Sequence, residues 1–194
     1  MSSRTIFFLI AIFSIDTSSH AQLEGTYSDS FIAEQLRNAK NTPNNQIVFE
    51  VNQPIDIAFT ALLSELPNYS DEVLKLTFDN SKSLIPGKIN LGSRRISVMK
   101  NEEELVQKII KFDPPNSFAY FTEMSQSTVN VPLDYSVGYY HFTEHTKGET
   151  TIKVSAVYKA SSRLTGFLVR LGFKRAFNKD FEKAEMYLNS IQTK

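Results

Sequence analysis

Cysteine is absent from this sequence. Its absence excludes disulfides, thiolate metal ligands and a cysteine nucleophile, so a folded chain must be stabilised by apolar packing. Charge of one sign is lacking as well. The 21 basic side chains are matched by 21 acidic ones, which leaves no overall field to gather a phosphate backbone or anionic lipid. Nucleic acid is therefore not an expected partner. The local patches are Arg94 with Arg95 and the Lys and Arg residues of the C-terminal segment. No Gly-x-Ser-x-Gly elbow, phosphate-binding loop or dinucleotide fingerprint occurs. Histidine is limited to His20, His141 and His145, and the last two fall near a strand end and its hairpin loop, without the helical i, i+4 geometry of a zinc pair. No metal or cofactor is expected.

Long hydrophobic runs are also scarce. The one at Thr5 to Ile15 follows Arg4 and is stopped by Asp16 and the polar stretch Thr17 to His20. A membrane-spanning helix needs about 20 apolar residues, whereas a run of about 11 suits the core of a secretory signal peptide. Ser19 and Ala21 supply the small residues that a signal peptidase accepts, which predicts cleavage between Ala21 and Gln22. Residues 1–21 are thus expected to be a signal peptide and the mature protein to be periplasmic or secreted. A lipid-anchored form is excluded by the missing cysteine, and no stable membrane anchor is expected after cleavage. The remainder is long enough for one domain with a single core.

What is present is aromatic. Fifteen Phe and eight Tyr, with no Trp, point to a ring-rich interior or cavity lining, because these side chains bury the most area per residue. Within residues 22–45, Phe31, Ile32 and Leu36 recur at helical spacing before the turn-rich Asn41 to Asn45, predicting a short amphipathic helix and a linker. Ile47, Phe49 and Val51 then alternate as in a strand, and Pro54 opens a helix carried by Ile55, Ala58, Phe59, Leu62 and Leu66.

Six strands are expected next: Val73 to Phe78, Gly92 to Met99, Val106 to Phe112, Phe118 to Met124, Val129 to Phe142 and Thr150 to Tyr158. Alternation is clearest in the last, where Ile152, Val154, Ala156 and Tyr158 share the dry face. Thr143 to Gly148 reads as its hairpin loop. Asn101 and Glu104 could instead cap a helix bearing Leu105, Ile109 and Phe112. Strand is preferred there, because Asp113 to Asn116 looks like a hairpin connection. From Ser161 onward the spacing of Leu164, Phe167, Leu168, Leu171, Phe177, Phe181, Ala184, Leu188 and Ile191 predicts a long helix, with a break before Phe173 allowed by Gly166 and Gly172.

Several stretches, in this order, carry a resemblance. Asn52 to Ile55 leading into Ile57 to Phe59, Gly92 to Ile96, Asp113 to Pro115 followed by Phe118 to Tyr120, and Val131 to Val137 resemble successive segments of the START-like, or SRPBCC, superfamily in its polyketide-cyclase-like branch. The match spans about Gln46 to Ile191. Phe59 stands where a Trp is often found, Asn101 to Glu104 replace an Asp-Gly turn, and residues 22–45 match nothing. The resemblance implies an α+β helix-grip fold over residues 46–194, a curved antiparallel β-sheet wrapped around a long C-terminal α-helix with an apolar cavity between them. It also implies binding of lipids, sterols or polyketide-like aromatics, with cyclisation or hydrolysis in a few members.

The candidate ligand-binding residues follow. Arg94, in phase with Ile96 and Val98, could turn into the cavity and hold a carboxylate or enolate, or else form an ion pair at the sheet edge. Tyr120, Tyr139 and Tyr158 could offer phenols, or simply pack against the last helix. His141 could carry a proton at the cavity mouth. Ala156 is placed on the inner face of the sheet, opposite Phe177 and Phe181 of the helix. Three readings result: an exported binding protein for a small hydrophobic or amphipathic ligand, a cyclase- or hydrolase-type enzyme in the same cavity, and an envelope interaction module with a vestigial pocket. An enclosed apolar pocket favours the first, and two hydrogen-bonded titratable groups inside it the second. A filled pocket beside an exposed apolar patch favours the third.

Overall fold

The computed structural model describes residues 26–161 and 166–192, with the backbone alone at 166–169. The expected signal peptide and its cleavage point lie outside the described residues, as do Leu164 and the side chains of Phe167 and Leu168. The elements run α1 (Asp29–Asn41), β1 (Asn45–Val51), α2 (Ile55–Ser64), β2 (Val73–Asp79), β3 (Arg94–Met99), β4 (Glu104–Asp113), β5 (Ser117–Glu123), β6 (Leu133–Thr146), β7 (Glu149–Ala160) and α3 (Gly166–Ser190). The seven strands form one antiparallel sheet in the order β1-β7-β6-β5-β4-β3-β2. Strands β2 to β7 follow one another as neighbours, and β1 closes the far edge by pairing with β7. β5 stands in the middle, and every residue of Ser117–Glu123 is buried.

The segment with two possible readings is strand β4. It is flanked by β3 and β5 and pairs with both, Ile96 with Val106 and Ile109 with Tyr120, so sheet hydrogen bonds on two sides outweigh the local helical preference of Asn101 to Glu104. Four expectations are corrected. The hairpin between β6 and β7 is a two-residue turn at Lys147 and Gly148, with Gly148 at φ 91°, because Thr143 to Thr146 continue the ladder. α3 runs through Gly172 without a break. Strand β3 begins at Arg94 and β6 at Leu133, later than their sequences suggested. Pro54 caps α2 rather than entering it.

The two faces of the sheet carry separate cores. On the concave face, Phe49, Ile109, Phe118, Tyr120, Phe142, Ile152 and Val154 meet α2 and the α3 residues Phe181, Ala184 and Leu188. Phe177 and Ile191 pack against the same cluster. α3 therefore buries the part of its predicted stripe from Phe177 to Ile191, while Leu171, expected in the same stripe, is 43% exposed. On the convex face, Phe121, Tyr135, Val137 and Val157 are covered by Ala39, Phe31, Ile32 and Leu36 of α1. Ser28 caps α1 by accepting from the Phe31 N–H at 3.2 Å. The C-terminal end of α3 is held by Gln53, whose Nε2 donates to the carbonyls of Leu188 (2.9 Å) and Ile191 (2.8 Å). No helix among the described residues is long and apolar enough to cross a membrane.

Candidate ligand site

Helix α2 ends beneath the sheet, and the carbonyls of its last turn need donors that water cannot reach there. Arg95 supplies them. Its side chain is 4% exposed and its Nη1 donates to Leu62 O (3.4 Å) and Leu63 O (3.3 Å). Nε and Nη2 both donate to Gln107 Oε1, at 2.9 and 2.5 Å, and Gln107 passes the link to Thr122 Oγ1 at 3.3 Å. The guanidinium carbon lies 4.0 Å from the centroid of the Tyr120 ring, and Tyr120 OH donates to Leu63 O at 3.4 Å. The negative end of the α2 dipole, a carboxamide and an aromatic face thus balance the cation. Among the described residues no carboxylate forms an ion pair with it.

Three phenols surround this charge. Burial pushes Tyr69 and Tyr120 well above the ordinary tyrosine value and raises Tyr140 as well, while the positive charge of Arg95 pulls each of them part of the way back. All three stay protonated at neutral pH and remain hydrogen-bond donors. From Tyr120 a continuous row of rings leads away under α3. Tyr120 meets Phe118 at 5.2 Å between centroids, Phe118 meets Tyr140 at 4.4 Å, and Tyr140 meets Phe181 at 5.9 Å. The row continues through Phe177 (4.8 Å) and Phe173 (6.0 Å) to Tyr158, which lies 4.3 Å from Phe173. The rings thus form a continuous aisle of aromatic faces, with a guanidinium that has no carboxylate partner among the described residues at its inner end.

The predicted site residues divide between the two faces. Tyr120, Ala156, Tyr158, Phe177 and Phe181 lie on the concave side, as expected. Arg94 does not. It lines a recess on the convex face with Val106 and Phe121, and the arginine that turns inward is its neighbour Arg95. Tyr139 packs into the convex core, where Lys40 lies 5.3 Å above its ring. His141 stacks beside Tyr139, so a proton carrier at the mouth of the concave space is not provided by this histidine. Arg95, Gln107, Tyr69 and Tyr140 were missed. The available signal was the adjacent pair Arg94 and Arg95, of which a strand must send one to each face. Among the described residues, no cluster of three His, Asp or Glu could hold a metal ion.

The architecture is that of the helix-grip fold, and solved structures with low sequence identity share it. XoxI from Bacillus cereus is 7% identical, with a TM-score of 0.59 over 77% of this chain and 98% of that one. Norcoclaurine synthase from Thalictrum flavum, solved with dopamine and hydroxybenzaldehyde, is 15% identical, with a TM-score of 0.53 over 77% and 88%. Ara h 8.0201 is 17% identical, with a TM-score of 0.53 over 76% and 100%. No family model and no curated protein sequence matches the chain.

Proposed function

We propose that this chain is an exported binding protein for a small apolar or aromatic molecule carrying one anionic or enolic oxygen, taken up between the sheet and α3. One observation carries this reading: Arg95 is buried at the end of a row of rings and has no carboxylate partner among the described residues. A buried cation balanced only by dipoles gains from an anion delivered by a ligand. Tyr140 and Phe177, both only partly buried, are the rings such a ligand would displace. Norcoclaurine synthase, on the same fold, holds small aromatics, and that precedent supports the ligand class. Export rests on Arg4, the apolar run Thr5 to Ile15, and the small residues Ser19 and Ala21.

The test is calorimetry with a series of aromatic carboxylates and their alcohol analogues, preceded by native mass spectrometry of protein from its own host to find a carried ligand. The carboxylate should bind at least about tenfold more tightly than its alcohol, a difference of about 1.4 kcal/mol. Binding should tolerate salt and show a negative heat-capacity change. Arg95→Met should abolish the preference, and Ala156→Phe should block entry at an overpacking cost of about 1 to 3 kcal/mol. Unchanged binding by a folded Ala156→Phe variant would overturn the concave site. Amino-terminal sequencing checks export separately, and intact Met1 in an extracytoplasmic fraction would remove that part. A second reading, an interaction module with a filled interior, draws on the unbroken ring contacts of the concave face and on the exposed Leu84, Ile85 and Leu91. Absence of any concave ligand in the same titrations would favour it.

A further inference from the structure

The convex face is covered over part of its width by α1, and the uncovered part is a groove. Its first recess, about 560 Å³, lies between the start of α1, strands β3 to β5 and the loop joining β2 to β3. Ile32, Val106 and Phe121 form its apolar wall, and Lys82, Arg94 and Lys108 stand around it. A second recess, about 430 Å³, shares Asp29, Ile32, Lys82, Gly92 and Lys108 with the first. It continues along Ala33, Leu36, Leu84 and Leu91. The two make one channel with a basic end and an apolar end. Both volumes fall in the range of small-molecule sites.

The charges at the basic end are offset only in part from within, where Asp29 and Glu123 stand against Lys82, Arg94 and Lys108. Glu123 is buried and fully engaged: Oε1 accepts from Thr26 N and Ser125 Oγ, each at 2.9 Å, and Oε2 accepts from Gln126 Nε2 at 3.1 Å. Asp79 pairs across the strands with Arg94, but its Oδ1 accepts from Ser81 N at 2.9 Å. Asp29 sits 3.8 Å from Lys108 on a side chain that is 98% exposed. Among the described residues neither Lys82 nor Arg94 has an ion-pair partner. Gly92 draws the loop against the sheet. At φ 87° its N–H donates to Ile109 O at 2.9 Å, and a Cβ there would collide with the Lys82 carbonyl. At the other end Leu84 is 71% exposed, an apolar side chain with an open flank.

We propose that this groove is a second binding site, distinct from the space under α3, for a single-chain anionic amphiphile. The carboxylate or phosphate head is held by Arg94, Lys82 and Lys108, and the chain lies along Ile32, Ala33, Leu36, Leu84 and Leu91. Charge complementarity selects the head and the apolar floor selects the chain. A bilayer surface is the poorer fit, because the cations and the apolar floor line a recess overhung by α1, which receives a molecule rather than a plane.

The test is calorimetry with dodecanoate below its micelle concentration and with dodecan-1-ol, on wild type, on the double variant Lys82→Gln/Arg94→Gln, on Ala33→Trp and on Ala156→Phe. Ala33 is exposed on α1, so the tryptophan fills the groove without entering a core, and circular dichroism checks that each variant folds. Dodecanoate should bind wild type at least about tenfold more tightly than the alcohol at low salt. The double variant should lose that margin together with its salt dependence, and Ala33→Trp should weaken binding while Ala156→Phe leaves it in place. Equal affinity for wild type and the double variant would overturn the site. If Ala156→Phe abolishes dodecanoate binding and Ala33→Trp does not, the ligand is under α3: the convex site is then wrong and the concave reading stands. Capture of wild type by phosphatidylglycerol vesicles with no binding of monomeric dodecanoate would assign the face to a membrane and overturn the proposal too.

Discussion

The concave and convex faces belong to one sheet, yet their covers differ in reach. Six strand spacings at about 4.8 Å make the sheet roughly 29 Å wide. At about 1.5 Å per residue, the 25 residues of α3 extend roughly 37 Å and the 13 residues of α1 roughly 20 Å. The longer helix, helped by α2, seals its side: Phe118, Phe142, Ile152 and Leu188 are each at most 1% exposed. The shorter one seals only the part over Val137 and Val157 and leaves Arg94, Val106 and Lys108 beside a recess. The reach of the covering helices, α3 with α2 on one face and α1 on the other, therefore separates a close-packed face with one buried cation from an open groove with several more accessible ones.

The largest expected effect tests that contrast directly. Phe118→Ala on the concave face should cost about 3 to 5 kcal/mol by denaturant unfolding, because a fully buried ring leaves both lost transfer energy and a cavity. Phe31→Ala on α1 should cost about half as much, since its ring is only partly buried against Tyr27 and Tyr135. Equal losses would mean that the two covers are equivalent and would break the comparison.

A smaller effect concerns the phenols. Tyr69 and Tyr120 are pushed well above the ordinary value by burial, and Tyr135 and Tyr139 on the convex face are raised as well. A folded-state value above the unfolded 10.0 means that the native state holds its proton more tightly. The corresponding stability is complete below that pH and is lost as pH rises through the folded value. In an ultraviolet titration the convex phenols should ionise while the chain is still folded, and Tyr69 and Tyr120 only as it unfolds. Early ionisation of Tyr120, reported by its loss in a Tyr120→Phe difference spectrum, would show that water reaches the Arg95 nest.

The smallest expected effect is at Asp180 on α3. Burial of its carboxyl raises its pKa above 3.8, Lys183 and Lys179 oppose that, and Asp71 and Glu72 add to it, although the residue as a whole remains exposed. The native state then binds the proton more tightly, so stability falls as pH rises from about 3.8 through the folded value. Asp180→Asn should be slightly more stable than wild type at neutral pH, with the difference vanishing below the unfolded value. A variant less stable than wild type at pH 7 would show that the charge is satisfied by the neighbouring lysines.

Much of this was legible from residue spacing. The alternation of Ile152, Val154, Ala156 and Tyr158 placed β7, and Phe177, Phe181 and Leu188 placed the buried stripe of α3, because each element has one dry face and one wetter one. The site residues were harder for a related reason. On β3 the apolar Ile96 lies on the convex side, pairing with the groove residue Val106, while the concave side carries Arg95 and Ser97, both buried. Of these, Arg95 meets the carbonyls of α2. Phasing Arg94 with the apolar residues therefore sent it to the wrong face, a shift of one residue that reverses every side chain. On β6 both faces are ring-rich, with Tyr135 and Tyr139 on one and Tyr140 and Phe142 on the other, and no alternation could sort Tyr139 and His141. The cover over the convex face was visible only as Phe31, Ile32 and Leu36, a helix stripe with no partner stated in the sequence.

Gln53 ties the two ends of the fold together. Its carboxamide fastens the carbonyls of Leu188 and Ile191, 135 and 138 residues later, its own carbonyl accepts from Thr150 Oγ1, and the adjacent Asn52 N–H donates to Asn189 Oδ1. The first strand likewise waits for the last, with Asn45 opposite Ala156. Such pairings are far apart in sequence, so a large loop must close before the contacts that reward it can form. As the polypeptide emerges from the ribosome, β1 and α2 have neither a strand partner nor a helix to shelter Phe49 and Phe59. The strands β2 to β7 can pair with their neighbours in the order of synthesis, whereas β1 and α2 are completed only when β7 and α3 arrive.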